Sequence, residues 1–521
     1  MPHYLLQVDN LQPGSMESVT AGDHEVLLVN VQGEITALYP KCTHYGAPLA
    51  DGVLNGNRLV CPWHHACFDA KTGQHLEAPG IDGLPQYKID RRGEELWVEI
   101  PDDSGDRVPN PMAAPEVKNE TTYAIIGGGA TGAYAAEGMR EAGFTGRIVL
   151  FSEEGEVPYD RPNCSKDYLQ GEAPEEWMPL RGEPFYKKHG IVLMKGHRVT
   201  KVDPSNRQIE FEEGAPVAYD KLLICTGGTP NRLSIAGSEL TNVHTLRSLA
   251  DSRMLLKAGR AVNQVVIIGA SFIAMEAAMS MQKLDCEVHV VAPEETPFAT
   301  VWGNAVGQRI QQWHEKAGVH FHLGCTVEQV EGDAQASAVL LDNGERLDTD
   351  LVIMGVGVQP STSFLPPDLL QPDGGLNTDP FLRVEENLYA AGDIAAPPVN
   401  GKNQRIEHWK VAAQQGRVAG KNMAGAQEPY EAIPFFWSAQ QDKILGYVGH
   451  ASNPGETIVE GDLDGDSFLV HYVEDGAIRA TLSLFRDQEL CAIQELMHDG
   501  RMPTPAAARA GVDWVEHLQS A

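Results

Sequence analysis

Short apolar runs mark both ends of the chain, and longer strand–helix patterns fill the middle. Residues 1 to about 100 contain short apolar or alternating runs, separated by Gly, Pro and Asn, at 25–29, 58–60 and 95–100. This pattern predicts a small all-β domain. Beyond residue 420 a helix at 487–497 follows candidate strands at 446–449, 457–459, 468–472 and 478–485. The C-terminal segment is therefore predicted to be α+β.

A strand, a turn rich in small residues, a helix and a second strand occur twice in the middle of the chain. The first copy begins with an apolar strand at 123–126, the second with one at 265–268, about 140 residues later. One such unit is a weak signal, whereas two predict two Rossmann-like dinucleotide-binding domains. The predicted fold is a multidomain α/β chain with an N-terminal all-β domain, two Rossmann-like domains and a C-terminal α+β domain.

Composition and charge narrow the class of protein. The 521 residues include 72 acidic and 40 basic ones, and the formal net charge is −32. Such a chain repels phosphate backbones and anionic lipid, which argues against nucleic-acid and membrane partners. Eight cysteines are too few for a secreted disulfide scaffold, and no long apolar run is present. We therefore expect a cytoplasmic protein. The sequence does not determine the oligomeric state, and a homo-oligomer is one possibility.

Two cysteine–histidine pairs in the N-terminal segment predict a metal centre. Cys42 and His44 are followed, after sixteen residues, by Cys61 and His64. Zinc is one candidate for a set of two cysteines and two histidines, but zinc fingers group cysteine with cysteine and histidine with histidine. Here each short motif supplies one thiolate and one imidazole. This suits a 2Fe–2S cluster in which one iron takes both cysteines and the other both histidines.

The first dinucleotide unit carries three glycines at positions that phosphate binding requires. Gly127, Gly129 and Gly132 allow a tight turn, a close approach to a pyrophosphate and helix–strand packing. Glu153, 21 residues beyond Gly132, is the candidate acceptor for ribose hydroxyls. The second unit keeps only Gly269 of the three glycines, so its signal alone is weaker.

Further motifs carry a resemblance to a known family. The cysteine–histidine loops and their flanks resemble a Rieske domain over about the first 100 residues. The remainder resembles the flavoprotein reductases with two dinucleotide-binding domains, on the motifs at 158–166, 226–228, 391–393, 407–409 and 434–437. The combination is similar to the Rieske-containing branch of the apoptosis-inducing-factor-like family. This resemblance implies a Rieske domain at 1–105, a linker at 106–119, an FAD-binding domain at 120–240 and 356–425, an inserted NAD(P)H-binding domain at 241–355 and a C-terminal reductase domain at 426–521.

The resemblance also implies roles for single residues. Asp393 is expected to bind the ribityl chain of FAD, and Arg161 and Lys166 to lie near the flavin and its phosphates. Glu276 is expected to face the nicotinamide and to pair with Lys166, which would make the two the catalytic residues. The alternative is that they are separate surface charges. Trp409 is expected at the cofactor site, and the helix that opens after it is expected to direct its positive end at the flavin pyrimidine.

The implied function is electron transfer from NAD(P)H through FAD to the 2Fe–2S cluster and on to an external acceptor protein. NADH is favoured over NADPH, because Ala292, Glu294 and Glu295 offer no cation for a 2′-phosphate. The acceptor is unidentified, and an oxygenase component is one candidate. Two alternatives stay open: a disulfide or peroxide reductase that uses Cys164, and an interaction protein whose assembly is gated by NADH.

Departures from the Rieske pattern predict a low cluster potential. The high-potential respiratory branch places a second cysteine in each loop, together with Ser and Tyr hydroxyls near the cluster sulfurs. At the matching positions this chain has Ala47, Trp63, Ala66 and Phe68. Fewer hydrogen-bond donors leave more electron density on the cluster and lower its potential.

Overall fold

The structure is a computed structural model that describes residues 2–7 as backbone, together with residues 11–93, 95–101, 105–399 and 401–520. The chain forms two compact units. The first consists of Met1–Met112, Glu431–Trp437 and Gly446–Ala521, and the second of Ala113–Tyr430 and Ser438–Leu445. The predicted N-terminal and C-terminal domains therefore share one unit. Among the described residues, no helix combines the length and the apolar character needed to cross a bilayer.

The N-terminal segment is all β. Its strands are β1 (Pro2–Gln7), β2 (Met16–Ala21), β3 (His24–Val31), β4 (Glu34–Leu38), β5 (Val53–Asn55), β6 (Arg58–Val60), β7 (Cys67–Asp69), β8 (His75–Glu77), β9 (Gln86–Arg92) and β10 (Glu95–Glu99). They form a six-stranded sheet of order β1-β10-β9-β4-β3-β2 and a four-stranded sheet of order β5-β6-β7-β8.

Burial of both faces of strand β3 explains the continuous apolar run at 25–29. Val26 and Leu28 pack in one apolar cluster, whereas Leu27 and Val29 pack in a second one. Successive side chains of a strand point to opposite faces, so a strand that is covered on both faces needs apolar residues at every position. The second cluster also contains Cys42 and Cys61, so this core supports both metal-binding loops.

The first dinucleotide-binding segment contains a parallel sheet, its helices and a small antiparallel sheet. Its elements are β11 (Thr122–Ile126), α1 (Ala130–Glu141), β12 (Arg147–Phe151), α2 (Glu183–Lys188), β13 (Ile191–Met194), β14 (Val199–Asp203), β15 (Gln208–Phe211), β16 (Val217–Ala218), β17 (Lys221–Ile224) and β18 (Gly228–Pro230). Strand β11 pairs in parallel with β12 and β17, as a Rossmann-like unit requires.

The inserted segment forms a second parallel sheet of order β19-β26-β20-β21-β22. Its elements are β19 (Val243–Thr245), α3 (Leu249–Gly259), β20 (Gln264–Ile268), α4 (Phe272–Lys283), β21 (Glu287–Ala292), α5 (Ala299–Trp302), α6 (Asn304–Lys316), β22 (His320–Leu323), β23 (Val327–Gly332), β24 (Ala336–Leu341), β25 (Arg346–Asp348) and β26 (Leu351–Met354).

The chain then returns to the parallel sheet that contains β11, β12 and β17. The returning elements are β27 (Val358–Pro360), β28 (Leu376–Asn377), β29 (Arg383–Glu385), β30 (Leu388–Ala390), β31 (Ala395–Ala396), β32 (Pro398–Val399), β33 (Lys402–Asn403) and α7 (Trp409–Met423). Strand β30 pairs in parallel with β17, and β27 pairs with β18, so the strands that leave and re-enter the first domain lie side by side. This pairing makes the segment between β18 and β27 an insertion in the first dinucleotide-binding segment.

Helices α1 and α7 pack with their backbones close together. A Cβ atom on Gly420 would lie 2.1 Å from the carbonyl oxygen of Ala135, and one on Gly416 would lie 2.2 Å from that of Thr131. Only glycine permits this approach without a shift of the backbone. The contact brings the first turn of α1 beside α7, which begins at Trp409.

The C-terminal segment consists of one antiparallel sheet and three helices. Its elements are β34 (Phe435–Gln440), β35 (Lys443–Gly449), β36 (Glu456–Gly461), β37 (Phe468–Glu474), β38 (Ala477–Leu484), α8 (Asp487–His498), α9 (Pro505–Ala510) and α10 (Trp514–Gln519). The sheet order is β34-β35-β38-β37-β36. These elements confirm the predicted fold class.

Buried contacts join the C-terminal helix α8 to the N-terminal sheets within the first unit. Arg58 Nε donates to the fully buried Glu495 at 2.7 Å, and the Cys491 thiol lies 3.4 Å from the carbonyl oxygen of Cys61. One apolar cluster contains Val60 from β6 together with Leu490 from α8. The metal-binding domain is thus packed on the C-terminal domain.

The predicted linker has contacts at both of its ends. Val108 forms an isolated antiparallel bridge with Gly83, and Glu116 N donates to the carbonyl oxygen of Thr145 at 2.8 Å. The composition change that predicts the linker starts at Pro101, and residues 102–104 of that stretch lie outside the described residues. The domain boundaries stay predictions.

Candidate functional site

The two metal-binding loops have the same backbone turn. Cys42 N donates to the carbonyl oxygen of Ala47 at 2.9 Å, and Cys61 N donates to that of Ala66 at 2.8 Å. In both loops the amide four residues after the cysteine donates back to the cysteine carbonyl, at 3.0 and 3.1 Å. The loops therefore present their cysteine and histidine in equivalent ways, although their sequences differ.

The four predicted ligands meet as two pairs. His44 Nδ1 lies 3.2 Å from His64 Nδ1. Two nitrogens bound to one tetrahedral metal at about 2.1 Å lie about 3.4 Å apart, so this spacing suits a shared metal. Burial and the neighbouring Cys61 thiol raise the pKa of Cys42 well above its usual value. The structure therefore brings His44 next to His64 and Cys42 next to Cys61.

The ionisation of this donor set suits a 2Fe–2S cluster. Burial lowers the pKa of His44 to about 3, so the imidazole is neutral at pH 7, as a metal ligand must be. Burial of Cys42 and Cys61 disfavours the thiolate form of each side chain unless cations compensate its charge. Two iron ions, one beside each pair, would supply that charge.

Aromatic side chains surround the two histidines. The ring of Trp437 lies 4.3 Å from that of His64 and 6.3 Å from that of His44. Tyr45 and Trp63, which flank the ligands, are each 46% exposed. The motif at 434–437 serves in the sequence only as a family marker, so the contact of Trp437 with the ligands is a finding of the structure.

The glycines of the first dinucleotide turn occupy positions that exclude a side chain or leave open space. A Cβ atom on Gly127, where φ is +129°, would lie 2.2 Å from the carbonyl oxygen of Cys225. One on Gly132 would lie 2.1 Å from the carbonyl oxygen of Gly127, whereas one on Gly129 would meet nothing within 4 Å. Gly129 precedes the first residue of α1, whose N-terminal amides can bind a phosphate. The turn therefore fits a pyrophosphate.

Carboxylates follow the second strand of each dinucleotide unit. Glu153 follows β12, is exposed, and lies 3.4 Å from Arg198. In the second unit, Gly269 has φ of +113°, and a Cβ there would lie 2.3 Å from the carbonyl oxygen of Gly355. Ala292 is buried at the end of β21, and the exposed Glu294 follows it.

The residues expected to contact FAD are held by Glu154, seven residues from Arg161, and by the distant Arg247. Asp393 pairs with Arg247 at 2.8 Å. Arg161 pairs with Glu154 at 2.6 Å and donates to the carbonyl oxygen of Arg247 at 2.8 Å. Burial by itself would raise the pKa of Glu154, but Arg161 and a hydrogen bond from Tyr159 lower it overall. Arg247 precedes α3 in the inserted segment, and no motif in the sequence singles it out.

Trp409 is the first residue of α7, so the helix begins one position earlier than the sequence predicts. Its ring meets that of Tyr134, on α1, edge to face at a centroid distance of 6.2 Å. The contact follows from the close packing of α1 and α7. The positive end of α7 therefore lies beside the first dinucleotide turn.

The structure joins Lys166 and Glu276 directly. Lys166 Nζ lies 2.7 Å from Glu276 Oε2, and their side chains are 14% and 3% exposed. Ser165 Oγ donates to the same carboxylate oxygen at 2.5 Å, and Ser438 Oγ donates to Oε1 at 2.7 Å. The pair is therefore a buried ionic cluster and not two separate surface charges.

Cys164 lies beside this cluster but is poorly suited to act as a nucleophile. Its side chain is buried, and burial raises its pKa to about 12, although the nearby Arg161 acts in the opposite direction. The thiolate is the reactive form, and this environment disfavours it.

Three family models cover most of the chain. The model described as "Pyridine nucleotide-disulphide oxidoreductase" matches residues 121–416, more than half of the sequence. The chain belongs to this oxidoreductase family. The model described as "Rieske [2Fe-2S] domain" matches residues 1–88 of the oxidoreductase, and the one described as "Reductase C-terminal" matches residues 435–514. The predicted combination of domains is confirmed.

Curated relatives and solved structures agree with this assignment. The oxidoreductase is 33% identical to "Apoptosis-inducing factor 3" of Homo sapiens, over 95% of this chain and 83% of that protein. It is 31% identical to the "Biphenyl dioxygenase system ferredoxin--NAD(+) reductase component" of Paraburkholderia xenovorans (strain LB400), over 72% and 93%. The structure of a covalent putidaredoxin reductase–putidaredoxin complex matches with a TM-score of 0.73 at 28% identity, over 78% of this oxidoreductase and 99% of that chain.

Replacing His44 by cysteine is expected to abolish the Rieske electron-paramagnetic signal, because the histidine-bound iron would lose one of its two nitrogen ligands. Reduction of bound flavin by NADH is expected to persist, because the residues assigned to it lie in the other compact unit. Spectra of the dithionite-reduced protein and stopped-flow absorbance measure the two properties. His24→Ala, at an exposed histidine of β3, is the control. Loss of both properties in His44→Cys would contradict the modular site.

Replacing Ala66 by serine is expected to raise the cluster potential by about 40 mV. Ala66 is fully buried at the end of the second loop. A hydroxyl there could donate a hydrogen bond worth about 1 kcal/mol, which is about 40 mV for one electron. Redox titration followed by electron-paramagnetic resonance measures the change. Ala21→Ser, at a fully buried alanine of β2, is the control. An unchanged or lower potential in Ala66→Ser would refute the assignment of the missing donor.

Proposed function

We propose that this chain is an NADH-dependent flavoprotein reductase that passes electrons through FAD to its own Rieske 2Fe–2S cluster and on to an external acceptor protein. The observation that carries the proposal is the presence, in one chain, of the paired ligand loops, two dinucleotide-binding turns and the buried Lys166–Glu276 pair. The resident groups are FAD and the 2Fe–2S cluster, and NADH is the substrate.

The relatives support a physiological partner that is itself an electron carrier or an oxygenase component. One is named as the ferredoxin–NAD(+) reductase component of a biphenyl dioxygenase system, and one structural relative is joined to putidaredoxin. In this chain the Rieske domain would take the position of the separate carrier. Tethering raises the effective concentration of the second redox group without any new contact.

The chemistry that FAD would supply here is the conversion between the two-electron transfer of a nicotinamide and the one-electron transfer of the cluster. Lys166, held by Glu276, would supply a fixed positive charge where negative charge develops on the flavin. Asp393 and Arg247 would bind the polar chain of FAD, and the amides after Gly129 its pyrophosphate. The N-terminal end of α7, at Trp409, would add a positive dipole.

The second dinucleotide site favours NADH. Beyond Ala292 the chain presents the exposed Glu294 and Glu295, which repel a 2′-phosphate and can accept hydrogen bonds from a ribose. We also propose a cytoplasmic location, since none of the eight cysteines, all within the described residues, forms a disulfide bond.

The wild-type protein is expected to reduce cytochrome c with NADH at a rate near that of an ordinary enzyme, about 10 s⁻¹, and more slowly with NADPH. The Cys164→Ser variant is expected to have the same rate, because the buried thiol takes no part in the transfer. Steady-state absorbance measures both. A wild-type rate below about 0.1 s⁻¹ would favour the NADH-gated interaction protein instead. Loss of turnover in Cys164→Ser would favour the disulfide or peroxide reductase.

Replacing Lys166 by methionine is expected to slow flavin reduction by NADH about 100-fold, the usual effect of removing a group that stabilises developing charge. The FAD content is expected to be unchanged. Stopped-flow absorbance at saturating NADH measures the limiting rate, and Lys187→Met, at an exposed lysine of α2, is the control. A limiting rate equal to that of the control would remove Lys166 from the mechanism.

A further inference from the structure

A chain of buried hydrogen bonds leads away from Glu276 on the side opposite Lys166. Ser438 Oγ donates to Glu276 Oε1 at 2.7 Å, and Gln440 Nε2 donates to Ser438 Oγ at 2.8 Å. Ser438 and Gln440 lie on β34, and Glu276 lies on α4. The proposed function gives these two polar side chains no role, and both are at most 1% exposed.

The chain continues to a buried histidine of the inserted segment. Gln440 Oε1 lies 2.9 Å from His314 Nε2, and Gln441 Nε2 lies 3.0 Å from His314 Nδ1. Burial lowers the pKa of His314 to about 4, although the hydrogen bond to Gln440 acts in the opposite direction. His314 is therefore neutral at pH 7. An amide oxygen faces one ring nitrogen and an amide NH₂ faces the other, so the hydrogen resides on Nε2.

This arrangement gives every hydrogen bond in the chain a single direction. His314 Nε2–H donates to Gln440, whose NH₂ group donates to Ser438, whose hydroxyl donates to Glu276. Reversing any one of these bonds would leave two acceptors or two donors facing each other in a buried site, where an unsatisfied polar group is costly. The direction set at His314 therefore extends to the carboxylate.

The carboxylate is fixed at both of its oxygens. Glu276 Oε2 accepts from Lys166 and Ser165, and Oε1 accepts from Ser438. A carboxylate that accepts hydrogen bonds at both oxygens cannot rotate without breaking them. The ammonium group of Lys166 is held mainly by Glu276, since its contact with the Pro162 carbonyl oxygen is longer, at 3.4 Å.

We propose that Ser438, Gln440 and His314 form a positioning relay for Lys166. They hold the Glu276 carboxylate in one orientation, so that the ammonium group stays at one place during hydride transfer. The inference rests on the proposed function of Lys166. It adds residues from β34 and α6 whose hydrogen bonds lead to Glu276, so they act on Lys166 through Glu276.

The first experiment separates positioning from folding. Ser438→Ala is expected to lower the limiting rate of flavin reduction about tenfold, the effect of losing one hydrogen bond to a charged group, while the dissociation constant for NADH stays the same. Ser438→Thr, which keeps the hydroxyl, is expected to restore the rate to within about twofold. Ser483→Ala, at a buried serine of β38, is the control.

The second experiment tests whether Ser438 and Gln440 act together as one hydrogen-bonded relay. Gln440→Met is expected to slow the reaction about as much as Ser438→Ala, and the double variant is expected to be no slower than either single variant. Independent structural damage would instead multiply the two effects to about a hundredfold. Multiplied effects, or an unchanged rate in both single variants, would overturn the relay.

The third measurement does not depend on activity. Nitrogen-15 spectra of histidine side chains in the FAD-loaded protein are expected to show His314 as the neutral Nε2–H tautomer at pH 7, with the signal assigned by its loss in His314→Asn. An imidazolium or the Nδ1–H tautomer would overturn the proposed direction. If Lys166→Met slows the reaction and Ser438→Ala does not, the relay alone fails. If Lys166→Met has no effect, the proposed function of Lys166 fails as well.

Discussion

The central constraint in the second unit is a buried charge. Glu276 is 2% exposed, and an isolated carboxylate at such a site would cost several kcal/mol. Lys166 compensates this charge, and hydroxyl groups of Ser165 and Ser438 complete its hydrogen bonds. Because Lys166, Glu276 and Ser438 come from three separated segments of the chain, the ionic cluster forms only when these segments of the second unit have come together.

Charge compensation also explains the metal-binding loops. Cys42 and Cys61 are buried in an apolar cluster, where thiolates are stable only beside cations. Burial lowers the pKa of His44 and so favours the neutral imidazole that a metal ligand requires. A neutral His44 completes its part of the set without adding charge. In both sites a buried negative side chain needs a positive partner, which is Lys166 beside Glu276 and would be iron beside Cys42 and Cys61. These positive groups are also the ones that take part in electron transfer in the proposed function.

Features that depend on local backbone geometry could be predicted well from the sequence. The turns at Gly127 and Gly269 need positive φ values and close approaches that exclude a Cβ atom, so glycine marks them. The alternating and continuous apolar runs predict the strands because burial on one or both faces determines which residues a strand can carry. The pair Lys166–Glu276 was also predicted, but only through the family resemblance.

Contacts between distant segments could not be predicted in this way. Arg247 and His314 lie in stretches without a motif, and Trp437 belongs to a motif that predicts no contact for it. Each meets its partner through the tertiary fold. The contact of Arg161 with the carbonyl oxygen of Arg247, 86 residues away, was not predicted either. A charged side chain can pair with any opposite charge that the fold brings within reach, and sequence spacing contains no information about that distance.

The sequence by itself determined the modules: the paired Cys/His loops, the two dinucleotide-binding turns and the strand patterns, all of which follow from neighbouring residues. The tertiary structure alone decided how these modules are grouped and which polar groups meet. It placed the Rieske and C-terminal segments in one unit and connected His314 to Glu276 through Gln440 and Ser438. The physical reason is that turns and strands are short-range properties of the backbone, whereas buried hydrogen bonds are satisfied by whichever donor the complete fold brings into contact.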